Sequence, residues 1–140
     1  MADAPPRWQL ATCVWELTLA CNARCVHCGS EAGSARPDEL STDEALALVA
    51  ELAALGCRAV TLSGGEPLLR PDWPRLAGAV VAAGMRLELI TNGLAVEQHA
   101  DAIAARGFHA VTFSVDGPAA IHDALRGEPG ALARLLRDAR

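Results

Sequence analysis

The chain has 140 residues, which fits one domain, and its 51% hydrophobic content against 21% charged residues excludes a disordered chain. The formal net charge is -5, with acidic and basic residues interspersed and no block rich in Lys and Arg. Because a nucleic-acid backbone or an anionic membrane needs such a positive patch, we expect neither as a partner.

The first residues read as an extension ahead of the folded part. We assign residues 1–12 to this extension and residues 13–140 to a single domain. No run of 18 apolar residues occurs, and Asp3, Pro5 and Arg7 interrupt any signal-peptide core, so the expected location is the cytoplasm. No strand pattern follows the helical pattern at 130–140, so we expect the domain to be truncated at its C-terminus.

Four short runs rich in Val, Leu, Ile and Thr predict β-strands that are buried on both faces. They lie at residues 14–18, 59–63, 86–91 and 110–115. Helical patterns separate them, which indicates parallel strands joined by right-handed crossovers. The predicted fold is α/β, the first four βα units of a partial TIM-like barrel.

The predicted helices have recognisable ends. Ser41 and Glu44 form a capping box before the first helix, and Gly56 suits its C-terminus. A second helix is expected to start after Asp72 and to stop at Gly84, and a third to span residues 96–106.

Cys21, Cys25 and Cys28 form a C-x3-C-x2-C motif directly after the first predicted strand. Thiolates are the usual ligands of iron–sulfur clusters, and three of them leave one iron of a [4Fe-4S] cube available to another ligand. The alternative is a zinc site completed by His27 or another residue, although His27 lies between two of the cysteines. Cys13 and Cys57 precede the first and second strands and are predicted to be buried structural thiols.

Polar residues and glycines also follow the other three strands. The segments are Ser-Gly-Gly-Glu-Pro at 63–67, Thr-Asn-Gly at 91–93 and Ser-Val-Asp-Gly at 114–117. Turn chemistry explains each of them alone, but parallel strands would bring all of them and the cysteines to one rim. This convergence indicates a shared ligand, with the Glu66 carboxylate able to meet an ammonium group.

Together these motifs resemble the radical S-adenosylmethionine (SAM) superfamily. The resemblance implies a [4Fe-4S] cluster held by Cys21, Cys25 and Cys28, and reductive cleavage of SAM to a 5'-deoxyadenosyl radical that abstracts hydrogen. The family often has an aromatic residue where this chain has His27, which could stack on adenine more weakly. The resemblance implies SAM contacts for Gly64, Gly65, Glu66, Ser114, Thr91 and His27.

The segment from Ser114 to Arg126, with His122 and Asp123, resembles the SPASM-containing subgroup. That subgroup implies a peptide or protein substrate, auxiliary clusters in a C-terminal extension, and an electron donor such as flavodoxin or ferredoxin. The alternative for His122, Asp123 and Arg126 is a solvated helix face without chemistry.

Two other functions stay open. A molybdenum-cofactor biosynthesis enzyme shares some of the motifs, but the positions of its substrate-binding arginines are Val14 and Thr61 here. A non-catalytic zinc or Fe-S binding module would keep the metal without turnover.

Overall fold

The computed structural model describes residues 9–139. The predicted extension at 1–12 therefore lies mostly outside the described residues, as does residue 140 at the end of the predicted last helix. Within residues 9–139, no helix is long and apolar enough to cross a membrane.

The centre of the fold is a parallel sheet, four-stranded within the described residues, in the order β1-β2-β3-β4. The strands are β1 (Thr12–Thr18), β2 (Ala59–Gly64), β3 (Arg86–Thr91) and β4 (Ala110–Phe113). Sequential order without a reversal is the arrangement of a barrel rather than of a doubly wound sheet. The prediction of a partial TIM-like α/β fold is confirmed.

Helices connect the strands and continue after the last one. In the described residues these are α1 (Thr42–Ala54), α2 (Trp73–Ala82), α3 (Val96–Ala105), α4 (Ala119–Arg126) and α5 (Ala131–Asp138), with a short 3-10 helix at Pro67–Leu69. The predicted capping box is present, since the Ser41 side chain accepts from the N–H of Glu44 and the Glu44 carboxylate accepts from Ser41. The first three helices were predicted to within a few residues.

Three details differ from the prediction. β1 starts at Thr12, so Cys13 lies within the strand rather than before it. β4 ends at Phe113, which leaves Ser114 in the loop after the strand. Helix α4 precedes the expected C-terminal helix. Pro118 is the N-cap of α4, and Gly127 is its C-cap.

The sheet buries one face rather than both. The buried face packs on α1, α2 and the start of α3. The opposite face is partly open, since Val14 is 66% exposed, and it carries polar side chains, since Thr61 donates a hydrogen bond to Glu88 at 3.0 Å. Side chains alternate along a strand, so the core receives every second residue. On the buried face lie Trp15, Leu17, Val60, Leu62, Leu87 and Leu89.

Strand register brings the loops together. Thr18 pairs with Gly64 at the end of β1 and β2, after a local irregularity, and Thr91 pairs with Phe113 at the end of β3 and β4. The segments that follow these residues therefore emerge at one edge of the sheet.

Candidate functional site

The segment at residues 19–33, here called the cysteine loop, carries the three clustered cysteines. Its two ends are tied together, because Gly33 donates its N–H to the carbonyl of Leu19 at 2.8 Å and Cys21 donates to the carbonyl of Gly33 at 3.2 Å. The loop contains no helix and only one isolated bridge residue at each end. It starts at the C-terminal end of β1 and lies over the edge where the other strands end.

A cavity of about 230 Å³ lies between the cysteine loop and the strand ends. Asn92 and Arg126 line it as well as the residues that the sequence indicated. One predicted residue, Glu66, is not on its wall. The predicted residues that line it are Cys21, Cys25, Cys28, His27, Gly64, Gly65, Thr91 and Ser114.

Each of the three sulfur atoms accepts a hydrogen bond. Cys21 and Cys28 accept from backbone N–H groups of the cysteine loop at 3.4 Å and 3.3 Å. Cys21 also accepts from Asn92 Nδ2 at 3.6 Å, and Cys25 accepts from Arg126 Nη1 at 3.7 Å. N–H groups directed at sulfur favour thiolate ligands and are one means by which proteins adjust iron–sulfur clusters.

The donor set fits an iron–sulfur cluster in its chemistry. Burial raises the pKa of the Cys21 thiol, and the nearby Glu66 and Cys25 charges add to this, while N–H donors oppose it. Across residues 9–139, no three His, Cys, Asp or Glu side chains gather closely enough to hold a single metal ion. A cube offers each thiolate a different iron, so its ligands need not surround one point.

His27, the fourth ligand in the zinc alternative, faces an acidic residue. Its Nε2 lies 3.6 Å from Asp116 Oδ1, and its side chain is 44% exposed. It lines the cavity, so the ring is within reach of a molecule bound there.

Gly64 and Gly65 allow β2 to pass against the start of the cysteine loop. A Cβ atom on Gly64 would lie 2.4 Å from the carbonyl oxygen of Thr18, and one on Gly65 would lie 2.4 Å from that of Ala20. Gly64 also has a φ of 129°, which side chains rarely tolerate. The close approach is used for bonding, since Gly65 donates to Thr18 and Glu66 to Ala20, each at 2.8 Å.

The Glu66 carboxylate, which is predicted to meet an ammonium group, lies between the ends of β2 and β3. The residue is fully buried, and its oxygens accept from the Thr91 hydroxyl at 2.9 Å and 3.0 Å and from the Asn92 N–H at 2.9 Å. Burial raises the pKa of Glu66 above its ordinary value, although hydrogen bonds from Asn92, Thr91 and Leu68 oppose the shift. These hydrogen bonds join the end of β2 to the end of β3, and the contact of Glu66 with an ammonium group stays a prediction.

The interpretation of His122 and Arg126 as part of a solvated helix face is wrong. His122 is fully buried, and its Nδ1 accepts the backbone N–H of Asp116 at 3.2 Å. Arg126 Nε and Nη2 lie 2.6 Å and 2.9 Å from the two oxygens of Asp116. The Arg126 hydrogen bonds hold the pKa of Asp116 below its usual range.

Asp123 has a structural role at the next helix. Its carboxylate accepts from the N–H groups of Gly130 and Leu132 at 2.7 Å and 3.1 Å, where α5 begins. These bonds lower the pKa of Asp123.

Motif membership was the only sequence signal for Asn92, Asp116 and Arg126 as part of the site.

The two remaining cysteines lie apart from the cavity. Cys57 is buried, and its thiol donates to the carbonyl of Ala59 at 3.2 Å, while Cys13 is half-buried within β1. None of the five cysteines forms a disulfide.

Comparison with known proteins identifies relatives of this chain. The family model described as the radical SAM superfamily matches residues 15–137. The chain is 44% identical over 125 residues to an AdoMet-dependent heme synthase of Methanosarcina barkeri, covering 87% of this chain and 36% of the relative. It is 39% identical over 115 residues to the mycofactocin maturase MftC of Mycobacterium tuberculosis, covering 81% of this chain and 29% of the relative.

A solved structure shares the fold. SuiB of Streptococcus suis, crystallised with the precursor peptide SuiA, superposes with a TM-score of 0.77 at 17% identity, covering 94% of this chain and 30% of SuiB. The chain thus spans about a third of the length of the proteins it matches.

Proposed function

Since the chain belongs to the radical SAM superfamily, which uses a [4Fe-4S] cluster and SAM, we propose that it forms the cofactor-binding part of a radical SAM enzyme. When bound and reduced by an external donor, the cluster would supply one electron to split the sulfur–C5' bond of SAM, which would give methionine and a 5'-deoxyadenosyl radical able to abstract hydrogen from a substrate. One observation carries the proposal: the cysteine loop and the Gly64-Gly65 strand end share a single cavity.

The proposed roles follow from where the side chains lie. Cys21, Cys25 and Cys28 would hold the cluster, since their sulfur atoms accept hydrogen bonds from N–H donors and all three residues line the cavity. Gly64 and Gly65 line the same cavity, and in this proposal they bring the end of β2 close to the bound SAM. In this proposal SAM contacts Ser114, Thr91, His27 and Glu66. The Glu66 carboxylate also accepts from the Thr91 hydroxyl and the Asn92 N–H, which joins the ends of β2 and β3.

The test is anaerobic reconstitution with iron and sulfide, reduction by dithionite, and chromatographic detection of 5'-deoxyadenosine formed from SAM. The variant is Cys25→Ala, and the matched control is Cys13→Ala, which removes a thiol outside the cavity. We expect a brown protein and 5'-deoxyadenosine from the wild type and the control, and neither from Cys25→Ala. Colourless protein that binds zinc would instead support a non-catalytic metal module.

We further propose a peptide or protein substrate, as the Ser114–Arg126 motif indicates. Two comparisons support this proposal: MftC is named as a maturase, and SuiB was crystallised with a precursor peptide. Flavodoxin or ferredoxin is the proposed electron donor. A molybdenum-cofactor type of substrate is disfavoured, because Val14 and Thr61 cannot replace the arginines that it requires.

A tetrapyrrole is the second candidate substrate, because the relative that is 44% identical is named a heme synthase. The two candidates separate in one assay, in which SAM cleavage is measured with added peptides encoded near the gene or with added iron porphyrin. Stimulation by peptide together with a changed peptide mass supports the first. Stimulation by the porphyrin alone would replace it with the second.

A further inference from the structure

The C-terminal end of α4 is bonded to the middle of the cysteine loop. Arg24 donates its N–H to the carbonyl of Arg126 at 3.1 Å, and Val26 donates to the carbonyl of Leu125 at 3.0 Å. Gly127 ends α4 with a φ of 66°, and a Cβ there would lie 2.7 Å from the carbonyl oxygen of Arg24. The residues on either side of Cys25 are therefore fixed by a helix about a hundred positions later in the chain.

The guanidinium of Arg126 divides its donors between two partners. Nε and Nη2 form a fork on the Asp116 carboxylate, and Nη1 is directed at Cys25 Sγ, 3.7 Å away. The side chain is 13% exposed and that of Asp116 is 18% exposed, so water competes little for these bonds. The N–H of Asp116 is held in turn by buried His122, which limits its movement.

Resting on the proposed function, we propose that Arg126 is a positioning residue that fixes the Cys25 thiolate through Nη1 and raises the reduction potential of the cluster which that thiolate holds. The Asp116 fork sets the direction of Nη1, and the backbone bonds from α4 set the position of the cysteine.

The direction of the effect follows from charge. Reduction adds an electron to a cluster that already carries thiolate charge, and an N–H donor at sulfur stabilises the more negative state. Donors on a cationic group are stronger than neutral ones. Removing the donor therefore moves the potential to a more negative value, and makes the cluster harder to reduce.

Arginine is required for this geometry. A lysine would keep the positive charge, but it cannot bind both oxygens of Asp116 and also direct a third, separate nitrogen at the sulfur. Arg126→Lys should therefore give a potential between those of the wild type and Arg126→Gln.

The experiment is a redox titration of the reconstituted 140-residue chain under anaerobic conditions, followed by electron paramagnetic resonance, with iron and sulfide contents measured in parallel. The variants are Arg126→Gln and Arg126→Lys. Arg134→Gln is the matched control, because it makes the same charge change at an arginine of α5 that pairs with Glu128 at 3.5 Å. A role in folding alone would change cluster content without moving the potential of the clusters that remain.

We expect Arg126→Gln to shift the potential to a more negative value and Arg134→Gln to leave it unchanged. Equal potentials in the wild type and Arg126→Gln, or an equal shift in the control, would overturn the inference. If Arg126→Gln takes up no cluster, the comparison passes to Arg126→Lys, where an unchanged potential is the contrary result. A wild type that takes up no cluster would refute the proposed function, and this inference with it.

Discussion

Gly65 offers a direct test of how the cavity is built. An added Cβ in Gly65→Ala would lie 2.4 Å from the carbonyl oxygen of Ala20 and 2.8 Å from that of Leu19, both backbone atoms that cannot rotate away. The φ of Gly65 is not in the left-handed region, so the cost comes from contact alone. Overpacking costs about 1–3 kcal/mol. Weakening the adjacent backbone bonds brings the expected loss of stability to roughly 2–4 kcal/mol.

The assay is urea unfolding of Gly65→Ala beside Gly78→Ala. Gly78 lies within α2, and a methyl group added to it would meet nothing within 4 Å, so alanine there should stabilise the helix by about 0.5–1 kcal/mol. The two substitutions add the same atoms and should have opposite signs. A Gly65→Ala protein as stable as the wild type would show that β2 does not press against the cysteine loop as described.

Three further predictions concern stability. Asp72→Asn should destabilise the fold by about 1–2 kcal/mol at pH 7, because the Arg70 hydrogen bonds lower the pKa of Asp72. A lowered pKa gives stability that is present above the ordinary aspartate pKa and is lost as pH falls through the pKa of the folded state. A difference in unfolding free energy between wild type and variant that does not change with pH would contradict this prediction. Thr91→Val should cost about 1–3 kcal/mol in urea unfolding by leaving Glu66 short of a donor, and Thr91→Ser, which keeps the hydroxyl, should recover most of it. Ser41→Ala should lower thermal stability by about 1 kcal/mol through loss of the helix cap, whereas Ser41→Asp should not.

Much of the fold could be predicted because its signals are local. The alternation of apolar runs and helical patterns indicated parallel strands, and the Ser41 cap marked the start of α1. The two-sided burial of the strands was wrong, because the composition of Ala59–Gly64 does not reveal that only Val60 and Leu62 face the helices while Thr61 faces Glu88. Burial depends on what covers each face, which is a property of the whole sheet.

The site was predictable in position and less so in roles. Parallel strands carry their following loops to one edge, so the cysteines, Gly64 and Ser114 could be grouped from spacing alone. The roles of Glu66 and Arg126 depend on hydrogen-bond partners 25 and 10 residues away in the chain. They also depend on the rotamer of each side chain, which decides the neighbours it contacts. Sequence suggests that the Glu66 carboxylate binds a ligand, but only the packing shows that it also accepts hydrogen bonds from Thr91 and Asn92.

These contacts imply that the conformation of the cysteine loop depends on elements that lie later in the sequence. Its ends are closed by Gly33, its first cysteine is bonded to Asn92, and its second is held by Arg126. A loop without its own regular structure has little intrinsic stability, so it must take its order from the elements that it touches. The three thiols can therefore reach a common arrangement only when β3 and α4 are in place, and a change at either element should loosen the candidate cluster site before it unfolds the sheet.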